Sequence, residues 1–528
     1  VSSMFENGSV VGQPEADTAG VSVLKKGGNA VDAAVTSALL ASVVAPHTNG
    51  IAGYGGMMLV CMNGNVQCID FNTVAPQATT ARMFDVVRSD GRFGSSVKDR
   101  TNEIGAQAVS TPGVLAGLVL ALEKFGTISL SDALKPAIRA CENGFRISAG
   151  YAEAVAANER NIRRFPDTAK LLLIDDAVPK SGDRAKNTDL GKLLQQVEKK
   201  GIEAFYTGRT AKRIADYVQE SGGILTAEDM AAYQARLVDP LHTACMGYEL
   251  YTPPLCSSGI SLLQMCRIAE SAELDLWARD AARLAHGMTE TIRAAWLDRY
   301  RHFGDPKVVK VALDLLMSDA HLAGTGREVA GHIAEGTQGQ CLLRPLSAGG
   351  TVHISAIDVD RNMVSLSLTH GPPYGSCMTV PKTGLILNAG MSRFDPGSGL
   401  PNSVGPGKVP FVNLCPTLVL EDGQPFLSIG GSGGTRISSS LFQVMARRMI
   451  LDEDLDWAVS APRVHSEGND WVMMEEEFGE IAPEYMESVR YTLRKGQAAG
   501  QVRAIEVTES GDLLAAHDPR LKAKEKGH

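Results

Sequence analysis

Two stretches of this sequence hold residue types suited to acyl transfer. In Gly349-Gly350-Thr351-Val-His-Ile-Ser355, a double glycine runs into a strand-like alternation that opens on a threonine. A cut at the Gly350–Thr351 bond would leave Thr351 with an α-amine and a hydroxyl on adjacent carbons. Such an amine titrates at roughly 7.7–8.0. It can therefore act as general base for its own hydroxyl, giving an N-terminal threonine nucleophile. Glycine at 350 suits self-cleavage, because it hinders attack on its carbonyl least and tolerates a strained backbone. The same residues also describe a plain turn into a strand.

The second stretch is Gly430-Gly431-Ser432-Gly433-Gly434-Thr435, between a strand and a helix. As a phosphate cradle it lacks the lysine and leaves G-x-G-x-x-G incomplete. Gly430, Ser432 and Gly434 match G-x-S-x-G, a nucleophile elbow with Ser432 at the turn. Alternatively, backbone N–H groups at the start of the following helix form an oxyanion hole for another nucleophile. A tight strand–helix turn is the remaining reading.

Metal motifs are absent. The eleven histidines make no H-E-x-x-H, and no Cys/His cluster has zinc spacing, so neither metal nor other cofactor is expected. His353 and His370 sit near Thr351 in sequence, and both read as structural strand histidines. The nine cysteines are scattered without a C-x-x-C pair, which reads as reduced, mostly buried thiols.

The elements that must position these groups are legible in the patterning. Asp17–Lys26 and Asn29–Val44 read as helices separated by Gly27-Gly28, the second apolar enough to be buried all round. Met57–Met62 and Val66–Phe71 form a hairpin about Asn63-Gly64. Residues 112–145 and 278–303 read as helical, with Thr226 as a helix cap and Tyr248–Thr252 as a strand. Residues 336–350 mark an exposed linker. Beyond it strands dominate: 353–359, 363–368, and a hairpin of 417–420 with 425–429. A helix over 436–451 follows the glycine loop. The last ten residues carry four Lys/Arg against one Glu and read as a solvated tail.

Composition excludes other classes. With 44% hydrophobic and 21% charged residues over 528, neither disorder nor a fibrous architecture is expected. Sixty acidic against 51 basic residues, a net charge of −9, argue against a nucleic-acid partner. The longest apolar stretch, Ala33–Pro46, is too short to span a bilayer, so no membrane partner is expected. Val1–Ala19 carries three acidic residues and no Lys or Arg, unlike a secretory signal, and a cytoplasmic location is expected.

Taken together, many ordered segments resemble the γ-glutamyltranspeptidase family of N-terminal-nucleophile hydrolases. They include Gly27-Gly-Asn-Ala-Val-Asp-Ala-Ala-Val35, Gly53-Tyr-Gly-Gly56, Asp70-Phe71 with Ala75-Pro76, Pro112-Gly113, Gly222-Gly-Ile-Leu-Thr226, Asp298-Arg299 with Gly304-Asp-Pro306, and Thr351-Val-His353. Cys415-Pro-Thr417, Gly433-Gly-Thr-Arg436, Ala461-Pro-Arg463 and Asp518-Pro-Arg520 complete the set. The resemblance implies an α/β fold, a four-layer αββα sandwich. It also implies self-cleavage between Gly350 and Thr351 into residues 1–350 and 351–528, the larger helix-rich, the smaller carrying the nucleophile. These subunits would form a heterodimer, and the fold is compatible with a pair of such heterodimers. Thr351 is then the nucleophile, Thr369 its hydrogen-bonding partner, and Gly433 and Gly434 the oxyanion hole. Ser432 becomes a loop residue.

Several positions depart from the family pattern. The arginine that holds a glutamyl α-carboxylate is Asn72 here, and the aspartate that holds the α-ammonium is Arg393. The serine pair before the Pro-Thr motif is Val412-Asn413, and the loop 395–410 looks shortened. A guanidinium repels an ammonium and attracts a carboxylate. The expected substrate is therefore a small amide bearing a carboxylate and no α-amine, contacted by Arg393, Asn72 and Asn413. The smallest is oxamate, and the chain resembles the branch of the family that hydrolyses oxamate to oxalate and ammonia in purine-nitrogen salvage. Four other readings stand beside it: a γ-glutamyltransferase or glutathione hydrolase with a rebuilt clamp, a glutaryl-type acylase, a serine hydrolase using Ser432 with His465, and an uncleaved binding protein.

Overall fold

The computed structural model describes residues 2–88, 95–341, 350–494, 498–521 and 526–527. Two seven-stranded sheets are stacked face to face. One runs in the order Ser2–Phe5, Leu513–His517, Gln501–Val507, Gln424–Ser432, Thr417–Glu421, Tyr248–Thr252, Leu241–Cys245. The other runs Lys526–Gly527, Ser9–Val11, Gly350–Ile357, Met363–Gly371, Gly55–Met62, Asn65–Asp70, Arg236–Val238. Neighbouring strands are antiparallel throughout both. Residues from before and after position 350 therefore contribute strands to each sheet.

Helices cover both outer faces. Ala30–Val44, Val114–Phe125 and Leu130–Asn143 bury their apolar residues with Val352, Ile354, Leu366 and Leu368 of the second sheet. Gly259–Ser271, Ala281–His302 and Arg436–Met449 pack with Val419, Leu427 and Ile429 of the first. A third core, with Leu59, Ile357, Met363, Leu418 and Ile505, lies between the sheets. The layer order is αββα, as expected.

The helix Ala30–Val44 shows why the sequence folds this way. Asn29 caps it, accepting the Asp32 amide at 3.0 Å, while the Asp32 carboxylate accepts the Asn29 amide at 2.9 Å. That carboxylate also takes the Thr127 hydroxyl at 2.6 Å, tying the cap to the next helical pair. The hairpin turn at Asn63-Gly64 has φ of 51° and 76°, the left-handed pair that favours Asn-Gly. The helical region 112–145 is two helices, because Gly126-Thr-Ile-Ser129 ends one and caps the next.

Strand alternation governs the centre. Along Gly350–Ile357, the even residues Val352, Ile354 and Ala356 face the helices, so His353 and Ser355 face the other sheet. His353 bonds Ser367 Oγ through Nδ1 at 2.9 Å and Ser355 Oγ through Nε2 at 3.0 Å. Ser428 Oγ reaches across to Ser355 Oγ at 3.0 Å. His353 is structural, as its strand position suggests. Gly336–Gln340, expected as exposed linker, is exposed at Thr337 and Gln340 but tethered through its backbone: buried Glu290 accepts the Gly339 amide at 2.9 Å and Arg293 Nη2 donates to Gln340 O at 3.1 Å. The Ser347–Gly349 part of that linker lies outside the described residues.

Candidate active site

Thr351 sits at the start of its strand and is 8% exposed. Gly350 pairs with Gly371 but Val352 pairs with Leu368, so Thr369 and His370 together oppose Thr351. This bulge re-aims the Thr369 side chain. Its hydroxyl donates to the Gly350 carbonyl at 2.5 Å and accepts the Gly371 amide at 2.9 Å. The Thr351 hydroxyl donates to the same carbonyl at 2.7 Å. Two hydroxyls thus converge on the carbonyl of the peptide bond expected to be cut.

The glycine loop arrives from the facing sheet. A Cβ on Gly430 would lie 2.1 Å from the His353 ring, so only glycine lets the two strands approach here. Ser355 faces Ser428 and His353 faces Gly430, so the strand that leads into the glycine loop lies over the strand that begins at Gly350. Gly433 and Gly434 adopt φ of 135° and 67°, conformations that favour glycine. Neither amide has a hydrogen-bond partner among the described residues, which suits an oxyanion hole. Ser432 Oγ is engaged with Gln501 at 3.2 Å and Arg503 at 3.4 Å. His465 Nδ1 meets Ser439 Oγ at 2.8 Å. The pairing of Ser432 with His465 is not formed.

Arg393 ends the short 3-10 turn Gly390–Arg393. Asn388 fixes that turn: its Oδ1 accepts the Gly390 amide at 2.9 Å and the Ser110 hydroxyl at 2.9 Å. The half-buried guanidinium donates only to Ser392 Oγ among the described residues, at 3.1 Å from both Nε and Nη2. It makes no ion pair with a described carboxylate. The loop beyond is pinned by Asn402 Nδ2 on the Arg393 carbonyl at 2.8 Å and by Lys408 Nζ on Ser403 O at 2.6 Å.

Asn72 departs from expectation. It is fully buried, its Nδ2 donates to Pro410 O at 2.9 Å and its Oδ1 accepts the Thr73 amide at 2.9 Å. The carboxamide braces the backbone around the site. Asn413 is different: Oδ1 accepts Arg299 Nη2 at 2.5 Å, while Nδ2 has no partner among the described residues. Arg299 is itself held over Trp296 and Phe411, its Cζ 4.2 and 4.5 Å from their ring centroids. Sequence reasoning did not single out Asn388, Ser110 or Tyr54. Tyr54 stands inside the quoted Gly53-Tyr-Gly-Gly56 run, and a tyrosine among close-packed glycines was the available signal.

A cavity of about 30 Å³ is lined by Ser42, Gly50, Tyr151, Leu172, His370 and Leu385. It does not reach Thr351. Among the described residues no cluster of His, Cys, Asp and Glu could hold a metal. No described helix is long and apolar enough to cross a membrane. The nine cysteines are unpaired, and all but Cys341 are buried.

Comparison with known proteins identifies the family. The family model described as Gamma-glutamyltranspeptidase matches residues 16–527. The glutathione hydrolase proenzyme of Escherichia coli (strain K12) is 31% identical over 518 residues, covering 95% of this chain and 88% of that protein. The acylase ACY 1 proenzyme of Pseudomonas sp. (strain SE83) is 31% identical over 512 residues, covering 96% and 91%. In structure, the chain is similar to a cephalosporin acylase from Bacillus halodurans, with TM-score 0.89 and 24% identity over 100% of this chain and 97% of that one. That likeness speaks for the fold. The chain belongs to the γ-glutamyltranspeptidase family.

Proposed function

We propose that this chain is a self-cleaving N-terminal-threonine amidohydrolase for amides whose acyl group bears a carboxylate. The observation that carries the reading is the convergence of the Thr351 and Thr369 hydroxyls on the Gly350 carbonyl. In self-cleavage, Thr351 Oγ attacks that carbonyl carbon while Thr369 donates to its oxygen. The acyl group shifts from nitrogen to Oγ, and water hydrolyses the ester. This leaves a Gly350 carboxylate and a free Thr351 amine, with both segments held in one heterodimer by their shared sheets. The word proenzyme in both relatives' names supports this step.

In turnover, the Thr351 amine takes the Oγ proton as Oγ attacks the substrate amide. The Gly433 and Gly434 amides would hold the oxyanion, each such donor being worth about 2.7–4 kcal/mol of barrier. The amine leaves with a proton, and water releases the acid. For the acyl group, Arg393 favours a carboxylate and disfavours an ammonium. The acylase relative supports hydrolysis of an acyl amide, and the charge of Arg393 favours a dicarboxylic acyl group of the glutaryl kind. The glutathione hydrolase relative supports a second reading, in which γ-glutamyl amides are hydrolysed or transferred through a rebuilt clamp. Oxamate remains the smallest carboxylate-bearing amide, and its support is the charge at position 393 together with the resemblance to the oxamate-hydrolysing branch.

The test compares wild type with Thr351→Ala by subunit mass and by turnover of glutaryl-p-nitroanilide, γ-glutamyl-p-nitroanilide, glutathione and oxamate. Cleavage and carboxylate-acyl turnover in wild type alone are expected. An intact Thr351→Ala chain that still hydrolyses these amides would refute the nucleophile. Preference for glutathione would overturn the acyl-group reading and keep the nucleophile.

A further inference from the structure

The turn Gly390–Arg393 is tied to the Thr369 bulge through one residue, Ala389. Its amide donates to the His370 carbonyl at 2.9 Å, and His370 directly follows Thr369. Its carbonyl lies against Gly371, where an added Cβ would be 3.4 Å from the oxygen, and accepts the Ser392 hydroxyl at 2.6 Å. The turn is braced on its own side too. Asn388 is fully buried and spends its amide protons on the Ala52 and Ser110 carbonyls, each at 3.1 Å. Tyr54 packs on Gly390, where an added Cβ would lie 2.8 Å from Tyr54 Cβ.

We infer that Ser392 is a positioning residue, whose hydroxyl sets the Arg393 guanidinium so that its Nη1–Nη2 fork receives the carboxylate of the acyl group. The inference rests on the function proposed above. The one hydroxyl proton of Ser392 goes to the Ala389 carbonyl, so toward Arg393 the oxygen only accepts. It accepts from Nε and Nη2, both at 3.1 Å, which fixes the side edge of the guanidinium. The end-on edge keeps Nη1 and the second Nη2 proton, without a partner among the described residues. Two parallel N–H groups of this kind match a carboxylate bidentately. A long side chain without an anchor must be ordered when its ligand arrives. Here the anchor is in place beforehand, and it leads through Ala389 to residues 370 and 371 beside Thr369.

The test measures binding and turnover separately. Glutarate and oxalate, the acids released from the two candidate acyl groups, are titrated calorimetrically into processed wild type, Ser392→Ala, Ser392→Thr and Arg393→Met. Ser392→Ala should weaken the diacid that wild type binds by about 2- to 10-fold, the range for ordering one freed long side chain. Ser392→Thr keeps the hydroxyl and should restore the affinity. Added to Arg393→Met, Ser392→Ala should have no further effect, because the hydroxyl acts through the guanidinium. Glutaryl- and valeryl-p-nitroanilide differ only in a terminal carboxylate. In Ser392→Ala their kcat/KM ratio should shift toward valeryl by the same factor, through the KM of the glutaryl anilide. Unchanged diacid affinity in Ser392→Ala would overturn the inference. So would an equal fall in kcat on both anilides with KM unchanged, the mark of a structural support for Thr369. Failure of the acyl-group reading shows separately, in wild type that binds neither diacid and prefers γ-glutamyl-p-nitroanilide, and the inference falls with it.

Discussion

In the proposed function, Thr369 would serve both the precursor and the cleaved site through one hydroxyl. It polarises the Gly350 carbonyl now and would face the Thr351 hydroxyl after the cut. Thr369→Val removes the donor and keeps the shape. Self-cleavage, followed by subunit mass, should slow about 100- to 1000-fold, the effect of losing one donor to a developing oxyanion. Thr369→Ser should cleave at close to the normal rate. At this scale the sequence was readable where a role depends on residue type: Thr351 can be a nucleophile and Gly434 can tolerate φ of 67°. It was unreadable where a role depends on a distant partner. Nothing near Asn72 announces that its carboxamide belongs to Pro410 O, or that Asn413 leans on Arg299.

Among the elements, the strand Gln424–Ser432 depends on one missing side chain. Gly430 lies against the His353 ring, which is fixed by Ser355 and Ser367. Gly430→Ala must push the sheets apart or break those bonds, at a cost of about 1–3 kcal/mol for overpacking. Its melting temperature should fall, and kcat should fall with it because the strand aims Gly433 and Gly434. Unchanged stability and kcat would show that the sheets can separate here. Most elements were legible because their signals are local, as in the Asn29 cap, the Asn63-Gly64 turn and the alternation of Val352, Ile354 and Ala356. The bulge at Thr369 was hidden, since it arises only when two strands are laid side by side.

Across the whole molecule, buried neutral histidines set an acid limit. Burial lowers His370 to about 4, and burial with the nearby Arg503 charge lowers His353 well below its ordinary value. Both bind fewer protons folded than unfolded. Both contributions are complete above about 6.5, and that of His370 is lost as pH falls toward 4, on the order of 3 kcal/mol. Urea midpoints should therefore drop steeply across that window, and His370→Gln should flatten the slope; an unaltered slope would assign the loss to other groups. The αββα order was legible only through the resemblance of many ordered segments to a known family, whereas the interleaving of segments from either side of position 350 was not. That interleaving also brings the outermost parts of the chain together, with Lys526–Gly527 paired to Ser9–Val10. A short bridge could join those ends and a new opening be made at 350, giving a circularly permuted enzyme that starts at Thr351. Such a chain would be born mature, separating the chemistry of activation from the chemistry of turnover.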